Sequence, residues 1–247
     1  MKIRVYFVSI LLIAAFLSSC GKGAELGEKD DTSLALSKKE VHELLDSVSL
    51  VPENRYNEWD GWDEDDSGRW PLDKCVRDEE TALDIGGVLL NRYQEDGFFS
   101  EYTLQLIEYQ EGPGGWMITY GKENDSNGTD ATVRFFIRRD NAQVEKIWIG
   151  EEEYDLSRKE GETADLIEPC IPDAETALQY GNALLQQYQR DGYFPRYIPQ
   201  MIEYQEDPLI WIICYWEDLG PDALSATVSF AFYGKDGQVI CIWSCEG

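Results

Sequence analysis

The sequence contains a single histidine, His42, and only 21 lysine and arginine residues against 48 aspartate and glutamate residues. Its formal net charge of −27 excludes a nucleic-acid partner, because binding a phosphate backbone requires clustered cations. Serine and cysteine nucleophiles usually need a histidine as their base, and His42 lies outside the repeated segments described below. Catalysis by such a nucleophile is therefore not favoured. The composition favours a non-enzymatic protein whose partner is a basic protein or a cation, unless the acidity only aids solubility.

Closely spaced metal ligands are missing as well. No Cys-x-x-Cys pair occurs, and one histidine cannot complete zinc-type ligand spacing. The sequence therefore predicts no metal site and no cofactor. Besides Cys20, an odd set of cysteines remains, whose disulfide pattern the sequence leaves open: Cys75, Cys170, Cys214, Cys241 and Cys245.

The longest apolar run lies at the N terminus. Lys2 and Arg4 precede the apolar residues 5–16, and Leu-Ser-Ser-Cys follows at residues 17–20. This pattern resembles the signal peptide and lipobox of a bacterial lipoprotein, and the run is too short to span about 30 Å of hydrocarbon. The resemblance implies that residues 1–19 are cleaved and that Cys20 is acylated, for example with palmitate. We expect an extracytoplasmic protein, lipid-anchored to a bacterial membrane.

A long internal repeat dominates the rest of the chain. Residues 75–148 recur without a gap at residues 170–243, an offset of 170 − 75 = 95. The two segments are identical at about 30 of about 75 aligned positions, whereas unrelated segments are identical at roughly one position in fifteen. The repeat predicts one folding unit present twice, and each unit of about 75 residues is small enough that we expect the two to pack together.

Each copy has the pattern of one helix followed by four strands. Asp78 and Asp173 suit helix N-caps, and Gly97 and Gly192 suit left-handed helix ends. In the first copy the predicted strands cover residues 102–110, 116–120, 131–137 and 144–148, with period-two apolar alternation. The predicted fold class is α+β: two tandem repeats, each one helix packed on a curved antiparallel sheet of about four strands. Gly86 and Gly181, inside the helices, predict close contact with another backbone.

These patterns divide the chain into six regions. Residues 37–40 have capping-box spacing, which predicts a short amphipathic helix that we expect to pack on the first copy. The regions are a signal peptide (1–19), a lipidated tether (20–36), the short helix with an acidic tryptophan-rich segment (37–74), repeat 1 (75–150), a linker (151–169) and repeat 2 (170–247).

A family resemblance is carried by the second copy most clearly. The sequence Asp-Ala-Glu-Thr-Ala-Leu at 173–178, a tryptophan strand and the hairpin Asp-Gly-Gln-Val at 236–239 resemble small immunity proteins with a nuclear transport factor 2-like, or cystatin-like, fold. The first copy keeps Trp116 but has Asn141-Ala142 where the second has Asp236-Gly237. The resemblance implies a protein that neutralises a toxin of bacterial competition. Its motifs are packing motifs, which specify a fold more than a function.

Candidate binding residues fall mainly on the first and second strands of each copy. The motif Glu-Tyr-Gln-Glu occurs at 108–111 and again at 203–206. Such residues can line a concave pocket together with a tryptophan, or form an ordinary strand with tyrosine inward and glutamate in water. Paired glutamates also suit acid and base chemistry, which leaves an enzymatic alternative open. The candidates are Glu108, Tyr109, Trp116, Glu203, Tyr204 and Trp211.

The acidic segment before the first copy offers two further possibilities. Trp59 and Trp62 are candidate anchors of a binding surface, or a cap on the edge of the first sheet. Residues 63–68 match the opening of a calcium loop, but Lys74 replaces the glutamate that the loop needs at position twelve. An acidic turn fits these residues better than a calcium site.

These observations lead to one hypothesis and one alternative. The hypothesis is a membrane-anchored, non-enzymatic binding protein, an immunity or inhibitor protein that neutralises a basic toxin outside the cytoplasm. The alternative is a surface lipoprotein receptor or accessory protein that binds a small ligand or a cell-wall fragment.

Overall fold

Three α-helices and two mainly antiparallel sheets make up the described part of the chain in the computed structural model. The structure describes residues 37–50, 74–122, 132–156, 169–217 and 226–245, which belong to one compact unit, Leu34–Gly247. The helices are α1 (Lys38–Asp46), α2 (Glu79–Glu95) and α3 (Ala174–Arg190). The predicted α+β class is confirmed.

The strands fall into two five-stranded sheets. The strands are β1 (Ser49–Leu50), β2 (Tyr102–Gln110), β3 (Gly115–Lys122), β4 (Thr132–Arg138), β5 (Val144–Ile149), β6 (Glu152–Asp155), β7 (Tyr197–Gln205), β8 (Ile210–Glu217), β9 (Thr227–Tyr233) and β10 (Val239–Cys245). Residues 74–156 form the N-terminal half, whose sheet has the order β2-β3-β4-β5-β6. Residues 169–245 form the C-terminal half, and β1 joins the edge of its sheet, which has the order β1-β7-β8-β9-β10.

The two long helices begin and end as the sequence predicts. The side chains of Asp78 and Asp173 each accept a hydrogen bond of 2.8 Å from the backbone N–H three residues later. After each helix, Gly97 and Gly192 take the left-handed conformation, with φ of 86° and 85°. Local sequence therefore sets both helix boundaries, because capping depends only on residues within one turn.

The short helix α1 forms as predicted but packs on the other half of the chain. Ser37 and Glu40 make the predicted reciprocal capping box. The expectation that α1 packs on the first copy was wrong, since α1 contacts β7 and the following β1 pairs with β7 in parallel. Position along the chain did not decide this, because the residues between Leu50 and Lys74 are numerous enough to reach either half.

Each sheet also contains a fifth strand that the repeat pattern does not include. β6 lies in the region predicted to be a linker and pairs antiparallel with β5. β1 is only two residues long and lies outside the repeated segments. Both were missed because a strand this short has too few residues to show period-two alternation.

The glycines inside the long helices make room for side chains rather than for another backbone. A Cβ at Gly86 would lie 2.7 Å from Ile118 Cδ1 and 2.8 Å from the Tyr120 hydroxyl. A Cβ at Gly181 would lie 2.6 Å from the Tyr215 hydroxyl. The predicted backbone contact was therefore wrong, and the glycines let each helix sit directly on the strand beneath it.

The two halves share one hydrophobic core, which confirms the expectation that they pack together. The larger of two clusters of buried residues runs through both halves, and α2 packs against α3. The side chain of Gln187, on α3, donates to the Cys75 carbonyl and accepts from the Arg77 backbone N–H at 3.1 Å. Because both partners of Gln187 are backbone groups, the contact fixes the start of one half against the helix of the other.

The turns before β5 and β10 meet in a reciprocal contact. The Val144 N–H donates to the Asp236 carbonyl and the Val239 N–H donates to the Asn141 carbonyl, both at 2.8 Å. Val144 and Val239 lie 95 positions apart, and so do Asn141 and Asp236. The Tyr180 hydroxyl is buried between these turns. Each half thus donates from its valine to the turn of the other half, so that the two hydrogen bonds are equivalent at the sequence offset of 95.

Candidate functional site

On both sheets a candidate tyrosine lies in ring contact with a candidate tryptophan. Tyr109 on β2 lies directly opposite Trp116 on β3, with ring centroids 5.1 Å apart. Tyr204 on β7 lies opposite Trp211 on β8, with centroids 5.4 Å apart. Residues directly opposite in an antiparallel pair share one face of the sheet. Each pair therefore sits on the face that carries the core side chains of its half.

Both indole N–H groups are used inside the chain. Trp116 Nε1 donates to the Val76 carbonyl at 3.3 Å, and Trp211 Nε1 donates to the Ile171 carbonyl at 2.9 Å. Val76 and Ile171 precede the two long helices and are completely buried. Each tryptophan thus ties the start of a helix to the sheet, which makes it part of the scaffold as well as a ring beside tyrosine.

The glutamates lie on the opposite face from the tryptophans. Glu108 pairs with Met117, and side chains alternate along a strand, so Glu108 points away from Trp116. Glu108 is exposed, whereas Glu203 is only 8% exposed and lies next to Ser49 of β1. The structure therefore does not assemble one pocket from the glutamates and the tryptophans, and it places the two glutamates in different sheets.

The helix-facing side of each sheet is filled by aromatic rings. In the N-terminal half Tyr93 stacks on Phe135 at 6.1 Å, and Tyr120 meets Phe135 edge-on at 6.0 Å. In the C-terminal half Tyr215 meets Phe230 edge-on at 5.8 Å. Burial raises the pKa of Tyr215 well above its ordinary value, so the hydroxyl stays neutral. These rings fill the side of each sheet on which a concave pocket was one of the two sequence-based possibilities.

An ion-pair cluster joins the end of α3 to the beginning of α2. Arg190 Nη2 lies 3.2 Å from Asp78 Oδ1 and donates to Thr81 Oγ1 at 2.6 Å. Arg190 Nη1 lies 3.5 Å from carboxylate oxygens of Glu80 and Asp84. Burial alone would raise the pKa of Asp78, but hydrogen bonds from Thr81 and the charge of Arg190 outweigh burial and lower it. The guanidinium therefore complements four polar groups at a helix N-terminus.

The opposite end of the helix pair has a glutamate where the first end has Arg190, and its Arg92 pairs with Asp96 at 2.9 Å. Glu95 occupies the position that corresponds to Arg190 at the offset of 95, near Asp173 and Glu175 at the start of α3. Partial burial and the charges of Glu175, Asp173 and Asp96 raise the pKa of Glu95. A carboxylate at a helix C-terminus is also opposed by the helix dipole. The two ends of the helix pair thus differ at one equivalent position, which is an arginine beside the start of α2 and a glutamate near the start of α3.

Exchanging Glu95 for arginine is expected to stabilise the protein. In Glu95→Arg the guanidinium can reach Asp173 and Thr176, as Arg190 reaches Asp78 and Thr81. Because this end is solvent-exposed, we expect only about 0.5–1 kcal/mol in the free energy of unfolding at pH 7 and low salt, measured by urea denaturation. The matched variant Arg190→Glu should lose at least as much. A Glu95→Arg protein less stable than wild type would contradict the expectation that arginine at position 95 contacts Asp173 and Thr176.

The same substitution should alter the pH dependence of stability. The pKa of Glu95 is raised above its ordinary 4.5, so the folded chain binds a proton at a higher pH than the unfolded chain does. The Glu95 contribution therefore grows as the pH falls from the folded-state pKa toward 4.5 and is lost at higher pH. Urea denaturation across this pH range should show a weaker gain on acidification for Glu95→Arg than for wild type.

Several predicted residues lie outside the described part of the chain. These are Cys20, Trp59, Trp62 and the calcium-like residues 63–68. Cys75, Cys170, Cys214 and Cys241 are buried. Within the described residues, no group of three or more histidine, cysteine or acidic side chains is placed to hold a metal ion. In the same residues no helix has the length and apolarity to cross a membrane.

No family model, curated protein or solved structure matches the chain. Resemblance to known proteins therefore adds nothing to what the sequence and the geometry support.

Sequence reasoning missed the residues at which the two copies differ. Arg190 and Tyr180 make polar contacts between the halves, yet the first copy has Glu95 and Ile85 at these positions. The sequence analysis used the identities between the copies and set the differences aside. A comparison of mismatches at the offset of 95 would have drawn attention to both residues.

Proposed function

We propose that this protein is a lipid-anchored, non-enzymatic binding protein that neutralises a polypeptide toxin outside the cytoplasm. In this proposal Cys20 carries the lipid and the folded unit presents an acidic surface to a basic partner. The net charge of −27 supports a basic partner, because opposite charges accelerate association and reject acidic competitors.

The observation that carries this proposal is the use of both tryptophans inside the scaffold. Trp116 and Trp211 donate their N–H groups to backbone carbonyls, and their faces lie against tyrosine rings. Their polar atoms are therefore already satisfied within the chain. This arrangement favours recognition by the outer surface over capture of a small ligand behind the sheets.

The geometry of the only histidine supports a non-enzymatic role. His42 lies on α1 with 77% of its side chain exposed, and its nearest carboxylate is Asp46 at 3.5 Å. Catalytic bases usually sit where burial and fixed partners tune their pKa. An exposed histidine paired one helical turn away, outside both long helices and their sheets, has the environment of a surface residue.

We further propose that the two halves are tandem copies of one nuclear transport factor 2-like unit. The equivalent tryptophan bonds, the equivalent helix caps and the reciprocal bonds of Val144 to Asp236 and of Val239 to Asn141 support this proposal. Each half combines one long helix with a mainly antiparallel sheet, and a fold of this kind hosts many functions. The toxin-binding role therefore rests on charge and surface rather than on fold.

The test is protection of a sensitive bacterium from a competitor that secretes polypeptide toxins. Expression of the wild-type protein should protect, and the purified protein should bind the responsible toxin directly with an affinity that weakens as salt increases. Binding of wall fragments with a tryptophan fluorescence change, in the absence of any polypeptide partner, would replace this proposal with the receptor alternative.

Removing the lipid attachment residue is expected to abolish membrane anchoring. Cys20→Ser leaves no thiol for acylation. Without acyl chains at this residue the protein has no lipid anchor, so it should move from the membrane pellet to the soluble fraction. Cell fractionation measures this directly. A matched Cys75→Ser variant should stay with the membrane, and a Cys20→Ser protein that remains membrane-bound would contradict the assigned anchor.

A further inference from the structure

The outer edge of β2 is open within the part of the chain that the structure describes. β2 is the first strand of its sheet and pairs only with β3. Leu104, Leu106 and Tyr109 on this strand are 39%, 48% and 39% exposed. An edge strand presents unpaired backbone N–H and C=O groups, which form a template for another strand. Exposed leucines on such an edge add apolar area to that template.

The equivalent edge of the other sheet is covered by the chain itself. Strand β1 lies parallel to β7, with Ser49 opposite Glu203 and Leu50 opposite Tyr204. The positions 95 residues earlier are Glu108 and Tyr109 on β2. The chain thus shows that this type of edge accepts a short extended segment, in parallel, beside its Glu-Tyr pair.

The β2 edge has no counterpart of the proline that limits further strand pairing along β7. Position 199 of β7 is proline, which has no N–H for a further strand, whereas the equivalent residue of β2 is Leu104. Both strands carry a bulge near this point, between Leu104 and Leu106 in β2. Beyond the bulge, the pairing of residues 106–110 with β3 is regular, so this stretch keeps the straight geometry that an added strand needs.

The charge along β2 indicates which kind of segment fits. Glu101, Glu108 and Glu111 lie on or beside the strand, and residues 101–111 include no lysine or arginine. Lys122 pairs with Glu101 at 2.7 Å, while no ion pair within the described residues engages Glu108 or Glu111. A second copy of the chain would bring the same acids to this edge, and its own net charge of −27 would add repulsion between the two copies. A basic segment is therefore favoured over self-association.

We propose that the β2 edge, residues 104–110, binds an extended segment of a partner polypeptide with alternating apolar and basic residues. The segment adds as a strand beside Glu108 and Tyr109, with its basic side chains on the Glu108 face. Main-chain hydrogen bonds supply affinity, and the alternating side chains supply selectivity. This inference rests on the proposed function, since it names the surface through which a basic partner would be held.

The first experiment uses a defined probe. Full-length protein in detergent is titrated into a fluorescein-labelled decapeptide of alternating valine and lysine, followed by anisotropy at low salt. We expect saturable binding that weakens as salt is added, and none with the valine–glutamate decapeptide. Amide hydrogen exchange of the same complex should slow along β2 and stay unchanged along β6, the other edge of the same sheet.

Substitutions on β2 make the test specific. The double variant Leu106→Lys/Glu108→Lys places like charge on the edge and should weaken binding of the lysine peptide about tenfold or more. Both residues are exposed, so circular dichroism and thermal unfolding should match the wild type. The control Glu151→Lys makes the charge change of the Glu108→Lys component at an exposed turn beside β6 and should leave affinity within about twofold.

The outcomes separate this inference from the proposed function. Peptide binding that is indifferent to the β2 double variant overturns the inference. So does a wild-type dimer in sedimentation that dissociates in the double variant, because a second copy would then occupy the edge. A captured toxin whose affinity and β2 amide exchange are both unaffected leaves the function standing without this surface. Specific peptide binding without any protecting activity leaves the surface standing without the function.

Discussion

Trp211→Ala is expected to lower the free energy of unfolding by about 3–5 kcal/mol. The Trp211 side chain is only 4% exposed, packs on Tyr204 and donates to the Ile171 carbonyl at 2.9 Å. Alanine would leave a cavity beside Tyr204 and a buried carbonyl without its donor, and these losses add. Denaturant unfolding followed by far-ultraviolet circular dichroism measures the change.

Two further variants separate the causes of this loss. Trp211→Phe keeps a ring but removes the donor, so it should cost about 1–3 kcal/mol, the penalty of an unsatisfied buried acceptor. Trp116→Ala should cost less than Trp211→Ala, because Trp116 is half-buried and its hydrogen bond is longer. Equal losses at Trp116 and Trp211 would show that burial does not distinguish the two tryptophans.

Gly237→Ala is expected to destabilise the protein by about 2–4 kcal/mol. Gly237 has a φ of 71°, a conformation that an L-residue adopts at a cost of about 1–2 kcal/mol. A Cβ at this position would also lie 2.7 Å from the Tyr180 hydroxyl. That hydroxyl lies 2.8 Å from the Ala142 carbonyl and 3.0 Å from the Gly237 carbonyl. Displacing Tyr180 would therefore disrupt the contact between the two turns.

The chain offers a matched control at the equivalent position. Ala142 has a φ of 60°, so it holds in the N-terminal half the conformation that Gly237 holds in the other. Ala142→Gly should be neutral or stabilising by up to about 1 kcal/mol, because relief of strain is partly offset by the greater freedom of the unfolded chain. Thermal unfolding of both variants gives the comparison. A Gly237→Ala protein as stable as wild type would remove Tyr180 from its assigned role.

The elements of the two halves were largely predictable from sequence. Asp78 and Asp173 cap the long helices, and each half forms the four predicted strands. In the N-terminal half these strands begin and end within two residues of the predicted bounds. These features depend on residues close in sequence: a cap acts within one turn, and a strand face repeats every second residue. Comparison of the two copies strengthened both patterns, because coincidental spacing seldom occurs twice.

The candidate site was predicted only in part. The sequence offered Tyr109, Trp116, Tyr204 and Trp211 as candidates, and the structure pairs each tyrosine with a tryptophan across neighbouring strands. It gave no means of seeing that Glu203 is buried beside β1 while its counterpart Glu108 is exposed. The difference arises from a two-residue strand that covers one edge and not the other. Strand pairing between distant segments has no local signature in the chain.

The sequence by itself determined one capped helix and four strands in each half and the strongly acidic character of the chain. The lipoprotein-like N terminus stays a prediction. Only the tertiary structure decided how the two units meet. Arg190 lies against the start of α2, Tyr180 lies between two turns, and α1 and β1 lie on the C-terminal half. These contacts join residues about 40 to 150 positions apart, and long-range contacts are selected by the total area buried and polar groups satisfied. No short stretch of sequence encodes that sum.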